Sequence, residues 1–160
     1  MKETKDLQND EVRVFLKDYV VDLLRLMDIP GKVDIQKGSG GEYNIDISVK
    51  RGRGLLIGKN GEVLRSIQFL IRTVAKKTFQ RRITIVVDIA NYRKKRENFV
   101  QKKAEAIAIL VKQTEREMAM DLLTRKEIRL VRRVIEKIDG VRMYTLGKGI
   151  KKNVIIAPEK

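Results

Sequence analysis

Apolar residues recur at three- and four-residue intervals from Val12 through Phe15, Leu16, Tyr19, Val20, Leu23 and Leu24 to Met27. That stripe predicts an amphipathic helix, opened by Asn9 or Asp10 as a cap and stopped at Pro30-Gly31. Val33 and Ile35 then alternate weakly, and Gly38-Ser39-Gly40-Gly41 supplies a flexible turn. Tyr43, Ile45, Ile47 and Val49 alternate cleanly with polar neighbours, the pattern of a half-buried strand, so the segment reads as a hairpin. Arg51-Gly52-Arg53-Gly54 breaks it. A short apolar turn, Leu55 to Ile57, leads to Gly58 and Gly61, and a helix is expected from Glu62 to Phe79. Its inner face would be Val63, Leu64, Ile67, Leu70, Ile71, Val74 and Ala75. Ile83, Ile85, Val87 and Ile89 alternate as a third strand.

The second half opens with a long predicted helix, Asn91 to Thr114, whose apolar stripe is Phe99, Val100, Ala104, Ile107, Ala108 and Val111. Arg93, Lys94, Lys95, Arg96, Lys102 and Lys103 crowd its first half. A short strand is expected over Arg116 to Asp121. Thr124 and Glu127 then have capping-box spacing, in which hydroxyl and carboxylate each satisfy an orphan amide at a helix start. The helix they open would turn Ile128, Val131, Val134, Ile135 and Ile138 inward and end at Asp139-Gly140. Two strands follow, Val141 to Leu146 and Asn153 to Ala157. The order of elements predicts an α+β chain of two small α/β modules. They would comprise a polar tail over residues 1–9, a first domain over 10–90 and a second over 91–160.

Composition sharpens this. The 160 residues carry a formal charge of +15, unevenly placed. Residues 1–50 hold 8 Lys/Arg against 10 Asp/Glu, whereas residues 51–160 hold 28 against 11. So one-sided an excess, beginning at the glycine turn, favours a polyanionic partner over a merely solubilised surface. Cysteine and histidine are both absent, which excludes a disulfide framework and removes the commonest metal ligands. No apolar run approaches the ~18 residues of a membrane span. The polar start, MKETKDLQND, lacks the apolar core of a signal peptide. A cytoplasmic protein with no cofactor, no metal and no catalytic set is expected.

The glycine turn carries the candidate chemistry. A nucleotide-hydrolysing P-loop needs four residues between its first glycine and Gly-Lys, then a hydroxyl residue for magnesium. Gly54 is separated from Gly58-Lys59 by three residues, and Asn60 stands where the hydroxyl would be. A clamp on a nucleic-acid backbone fits better. Gly58 and Gly61 permit close approach, amides and dipole at a helix start favour an anion, and Lys59 adds charge.

With its surroundings, IGKNGEVLRSIQFLIRTVAKKTF resembles the KH domain of the bacterial Jag (SpoIIIJ-associated, KhpB/EloR) family. The similarity is strongest at Ile57, Gly58, Lys59, Gly61, Leu64, Gln68 and Leu70, and the element order matches the type II KH arrangement. Residues 88–99, DIANYRKKRENF, resemble that family's junction into its second domain, a helix-and-three-strand module named for an Arg-x-x-x-His signature. Aligned on Glu127, Ile128 takes the Arg position and Arg132 the His position, so the signature is lost. The nine or so residues before the first helix are too few for the family's further N-terminal Jag domain.

The resemblance implies a non-catalytic, single-stranded-RNA-binding regulator linked to cell elongation or division, with a small KH-domain protein or a second copy as partner. The expected contact set is Gly58, Lys59, Asn60 and Gly61, flanked by Arg51 and Arg53, with Arg129, Arg132 and Arg133 on the second module. Two alternatives stay open. The basic residues of the second module and of 93–103 are either a further footprint or a solvated helix face. The whole chain is either an RNA binder or a protein-interaction scaffold of the elongation machinery with incidental nucleic-acid affinity.

Overall fold

A computed structural model describes residues 2–159, with side chains over 10–159. The side chains of the expected tail, 1–9, lie outside the described residues, although the backbone of the first helix already begins at Lys2. The chain is α+β and divides into two compact units, Met1–Arg93 and Lys94–Lys160.

The first unit contains α1 (Lys2–Leu26), β1 (Gly31–Lys37), β2 (Tyr43–Val49), α2 (Arg53–Ile57), α3 (Glu62–Phe79) and β3 (Ile85–Ile89). Its sheet runs β1-β2-β3, antiparallel across the hairpin and parallel between β2 and β3. A parallel pair needs a crossover, and α2 with α3 provides it. Ile45 stands between Ile35 and Val87 in register, so the alternation seen in the sequence puts one apolar face of all three strands against the helices. There Val12, Leu16, Val20 and Leu24 of α1 and Leu64, Ile67, Ile71 and Ala75 of α3 close the core.

Two expectations change here. The apolar turn at Leu55–Ile57 is the end of the short helix α2, whose Leu56 is fully buried. Gly52, at φ 73°, starts that helix by a left-handed reversal that side chains resist, and a Cβ there would lie 2.9 Å from Ile29. Leu70, assigned to the inner face of α3, is 41% exposed. The buried positions step by three and four from Leu64 to Ala75, and Leu70 falls on the flank of that stripe.

The second unit takes up α4 (Tyr92–Thr114) and adds β4 (Met118–Thr124), α5 (Arg125–Ile135), β5 (Val141–Leu146) and β6 (Lys151–Pro158). Its sheet is antiparallel in the order β4-β6-β5. Val100, Ala104, Ala108 and Val111 of α4 meet Val131 and Ile135 of α5 and Leu123, Val154 and Ile156 of the sheet. Helix α5 stops at Ile135, short of the expected Asp139-Gly140, and turns lead into β5.

The capping box forms, and it is tied to α4. The Thr124 amide donates to Glu127 Oε2 at 2.8 Å, while the Glu127 amide donates to Thr124 Oγ1 at 3.4 Å. The other carboxylate oxygen, Oε1, accepts from Arg96 Nε at 2.8 Å. This pairing explains a further correction. Phe99, expected in the buried stripe of α4, is 53% exposed, and its ring lies 5.7 Å from the Arg96 guanidinium as a cation–π neighbour.

Glu127 is the buried charged side chain among the described residues. Burial opposes its ionisation, but the Thr124 amide, the Arg96 guanidinium and the Thr124 hydroxyl outweigh burial and hold its carboxyl below the usual range. A depressed native pKa stabilises the fold above the unfolded value and ceases to do so as pH falls through the native value. The second unit is therefore expected to lose stability as pH drops below about 4.5, the ordinary Glu value. Glu127→Ala, which leaves Arg96 buried and unpaired, is expected to cost about 3–5 kcal/mol at neutral pH. It should also flatten that acid response. Denaturant titrations of both proteins at pH 7 and pH 3.5 check both effects.

Candidate nucleic-acid interface

The segment between α2 and α3 reverses through three residues at positive φ, Asn60 and Gly61 left-handed and Gly58 with an extended ψ. Gly58 has φ 69°, Asn60 φ 54° and Gly61 φ 74°. Asparagine is among the few non-glycine residues that tolerate this region, which accounts for its place between two glycines. Close packing also demands the glycines. A Cβ on Gly58 would lie 2.5 Å from Val63 Cγ2, and one on Gly61 2.7 Å from Tyr92 Cε1. The turn is held from within: the Gly58 amide donates to Gly54 O at 2.8 Å, the Gly61 amide to Gly58 O at 3.2 Å, and Arg65 Nη1 to Asn60 O at 2.9 Å.

The amides of Lys59 and Asn60 are different. Among the described residues they donate to no backbone carbonyl, and Lys59 is exposed. Two unspent donors and a mobile ammonium thus stand ahead of an 18-residue helix whose N-terminal dipole favours anions. Arg51 and Arg53, also exposed, flank the approach.

From this turn α3 runs beside the free edge of β3, and side chains cover that edge. Arg72 Nε donates to Ile85 O at 2.7 Å, with Nη2 on the same carbonyl. Gln68 Oε1 accepts the Val87 amide at 3.0 Å, and Arg93 Nε donates to Val87 O at 3.1 Å. Arg93 Nη2 also donates to Gln68 Oε1, at 2.8 Å. The Ile89 amide finds Asp88 Oδ1 at 2.9 Å. Burial, then the charges of Arg93 and Arg82, hold the Arg72 guanidinium below its ordinary pKa, as expected where cations gather at one edge. Beyond Arg72 an open groove of about 410 Å³ is lined by Phe69, Thr73, Lys76 and Arg82, and Phe69 is 72% exposed.

In the second unit the three arginines of the expected set do not act together. Arg129 and Arg133, four residues apart, share a hollow of about 320 Å³ with Lys126, Glu97 and Glu127. Arg132 lies on another side of α5, over a hollow that includes Glu136, Asp139 and Glu159. The 93–103 basic run is partly committed to the fold: Arg93 binds β3, Arg96 binds Glu127, and Lys103 Nζ sits 2.7 Å from Asp121 Oδ2. The sequence reading placed Gln68 only within a resemblance and passed over Arg72 altogether. Their partners lie 13 to 25 residues away, which periodicity does not reach. The spacing of Gln68 and Arg72, four apart on one helix face, was the available signal.

A glycine turn ahead of a long helix with a basic groove beside it, and a second basic α+β unit, are features that suit an anionic ligand. No described helix is long and apolar enough to cross a membrane. No family model matches the chain. Curated relatives do. RNA-binding protein KhpB of Clostridium symbiosum is 31% identical over 104 residues, which cover 65% of this chain and 47% of that protein. Proteins of the same name from Streptococcus pneumoniae and Lactiplantibacillus plantarum are 24% and 23% identical, over 79% and 91% of this chain. The chain is thus similar, at modest identity, to several proteins named KhpB. It spans 40–47% of the length of these relatives.

The turn's geometry separates fold from surface. Gly61→Ala places a Cβ at φ 74° against the Tyr92 ring and is expected to cost about 1–3 kcal/mol. Lys59→Ala, at an exposed position, should stay within about 0.5 kcal/mol of the parent. Urea unfolding of the two variants makes the comparison, and equal midpoints would contradict the packing described.

Proposed function

We propose that the chain is a non-catalytic, single-stranded RNA-binding protein. In this reading residues 10–90 are a type II KH domain, and Gly58-Lys59-Asn60-Gly61 grips the phosphate backbone. The carrying observation is the pair of unspent amides at Lys59 and Asn60 between two close-packed glycines. An incoming phosphate would take those donors and the Lys59 ammonium, while bases lie along α3 and the edge of β3. Arg51 and Arg53 would add phosphate contacts, which fix position without reading sequence. The relatives, each named an RNA-binding protein, support the same ligand. Residues 91–160 would be the family's Arg-x-x-x-His-type domain without its signature, contributing Arg129 and Arg133 electrostatically and Arg132 from a different side. Within the family frame, the role is cytoplasmic post-transcriptional regulation connected with elongation or division, with a small KH protein or a second copy as partner.

Replacing Lys59 and Asn60 together by Asp sets two carboxylates where phosphate would sit. Like charges so close cost several kcal/mol, so affinity for a mixed-sequence single-stranded RNA should fall about 100-fold or more, with the circular dichroism unchanged. An unaltered titration of the folded double mutant sinks the clamp. If Arg51, Arg53 and Lys59 each neutralise one phosphate, the plot of log affinity against log salt should slope at about −2 or more steeply. A flat plot speaks against the phosphate footprint.

A further inference from the structure

Glutamine ordinarily reads adenine because it offers both an acceptor and a donor, matching adenine N7 and N6–H. Gln68 has lost half of that ability. Its Oε1 accepts from the Val87 amide at 3.0 Å and from Arg93 Nη2 at 2.8 Å, so both lone-pair directions are occupied. Both partners are obligate donors, which fixes the amide orientation: the oxygen faces β3 and Arg93, and Nε2 faces away. Among the described residues Nε2 donates to no acceptor. The guanidiniums beside it donate as well. Arg72 spends Nε and Nη2 on Ile85 O, and Arg93 spends Nε and Nη2 on Val87 O and Gln68 Oε1, which leaves Nη1 of each as a further donor. The carbonyls of Ile85 and Val87, the acceptors that this strand edge would otherwise show to a base, are covered by those same arginines.

Acids do not restore the balance. Asp34, Asp46 and Asp88 stand in register across β1, β2 and β3, on the face of the sheet opposite the helices, where they line a separate hollow that Arg93 also borders. Asp88 Oδ1 is engaged by the amides of Ile89 and Arg93. The rung formed by Gln68, Arg72 and Arg93 is therefore a row of donors along the β3 edge, beside the groove that Phe69 lines. Along α3 it begins about 10 Å from Gly61 at ~1.5 Å per residue, within reach of the roughly four nucleotides such a clamp holds.

Building on the clamp reading, we infer that this rung selects keto bases, guanine and uracil, over adenine and cytosine. On the Hoogsteen edge guanine presents O6 and N7 and uracil presents O4, acceptors only, which can meet the Gln68 Nε2 and arginine donors. The exocyclic amines of adenine N6 and cytosine N4 meet donor against donor. The oxygen that would receive them is already spent.

The test exchanges the one group that decides the outcome. Fluorescence anisotropy with the eight-nucleotide RNAs U8, (GU)4, A8 and C8 gives four affinities for the unaltered chain. U8 and (GU)4 are expected to bind at least about tenfold more tightly than A8 and C8. Gln68→Glu keeps an oxygen for Val87 and Arg93 and turns the outward Nε2 into an acceptor of the same shape. Its added charge lowers all four affinities, but the ratio of keto to amino bases should collapse or invert. Gln68→Met, which removes the polar group at similar length, should reduce the ratio without inverting it. The Asp double mutant at Lys59 and Asn60 should lower all four together at a constant ratio. Equal affinities for the four RNAs, or a ratio unchanged in Gln68→Glu, overturns base selection and leaves the clamp standing. Failure of every RNA to bind the unaltered chain overturns the clamp and this assignment with it.

Discussion

An edge strand must place the amides and carbonyls that no neighbouring strand takes, or it becomes a template for any chain that arrives. β3 is such an edge, and its groups are met by three side chains from helices and by its own Asp88. Much of the first unit follows from that solution. Helix α3 must run beside β3 so that Arg72 faces Ile85 and Gln68 faces Val87, which places the glycine turn at the end of the edge where β3 finishes. The parallel crossover, the turn and the groove are thus consequences of one alignment between a helix and a strand.

The same economy governs the charge. A +15 chain invites the reading that its cations form one surface for a polyanion. The structure divides them. Arg72 and Arg93 complete backbone hydrogen bonding, and Arg96 neutralises the carboxylate that caps α5. Lys59, Arg51 and Arg53 are exposed without such commitments, as are Arg129 and Arg133 on one side of α5. Counting basic residues overstates the surface on offer, while position relative to uncapped backbone distinguishes the two uses.

What the residues disclosed on their own was local. The alternation of Ile45 with Ile47, the boundaries of α3 and the Thr124–Glu127 cap depend on neighbours within a turn or two, so they were legible, as was the turn that Gly58 and Gly61 require. The exposure of Phe99 was not, because it follows from Arg96 being drawn to a carboxylate 31 positions away. The helical character of Arg53–Ile57 escaped for a similar reason: it depends on Gly52 reversing the chain against Ile29 and on Leu56 finding a core built from distant segments. The rung at β3 joins residues 13 to 25 apart in the chain, and only tertiary placement reveals that a glutamine has become a donor.

Arg132, on an exposed face of α5, occupies the position that the family resemblance gives to histidine. Within these 160 residues there is no imidazole at all. Histidine is the side chain whose ordinary pKa lies between pH 5 and 8, so this sequence lacks the usual proton-operated switch in that range. Dissolved ions, by contrast, screen exposed cations such as Lys59, Arg51 and Arg53. If the chain grips RNA as proposed, salt rather than moderate acidification is what would release it.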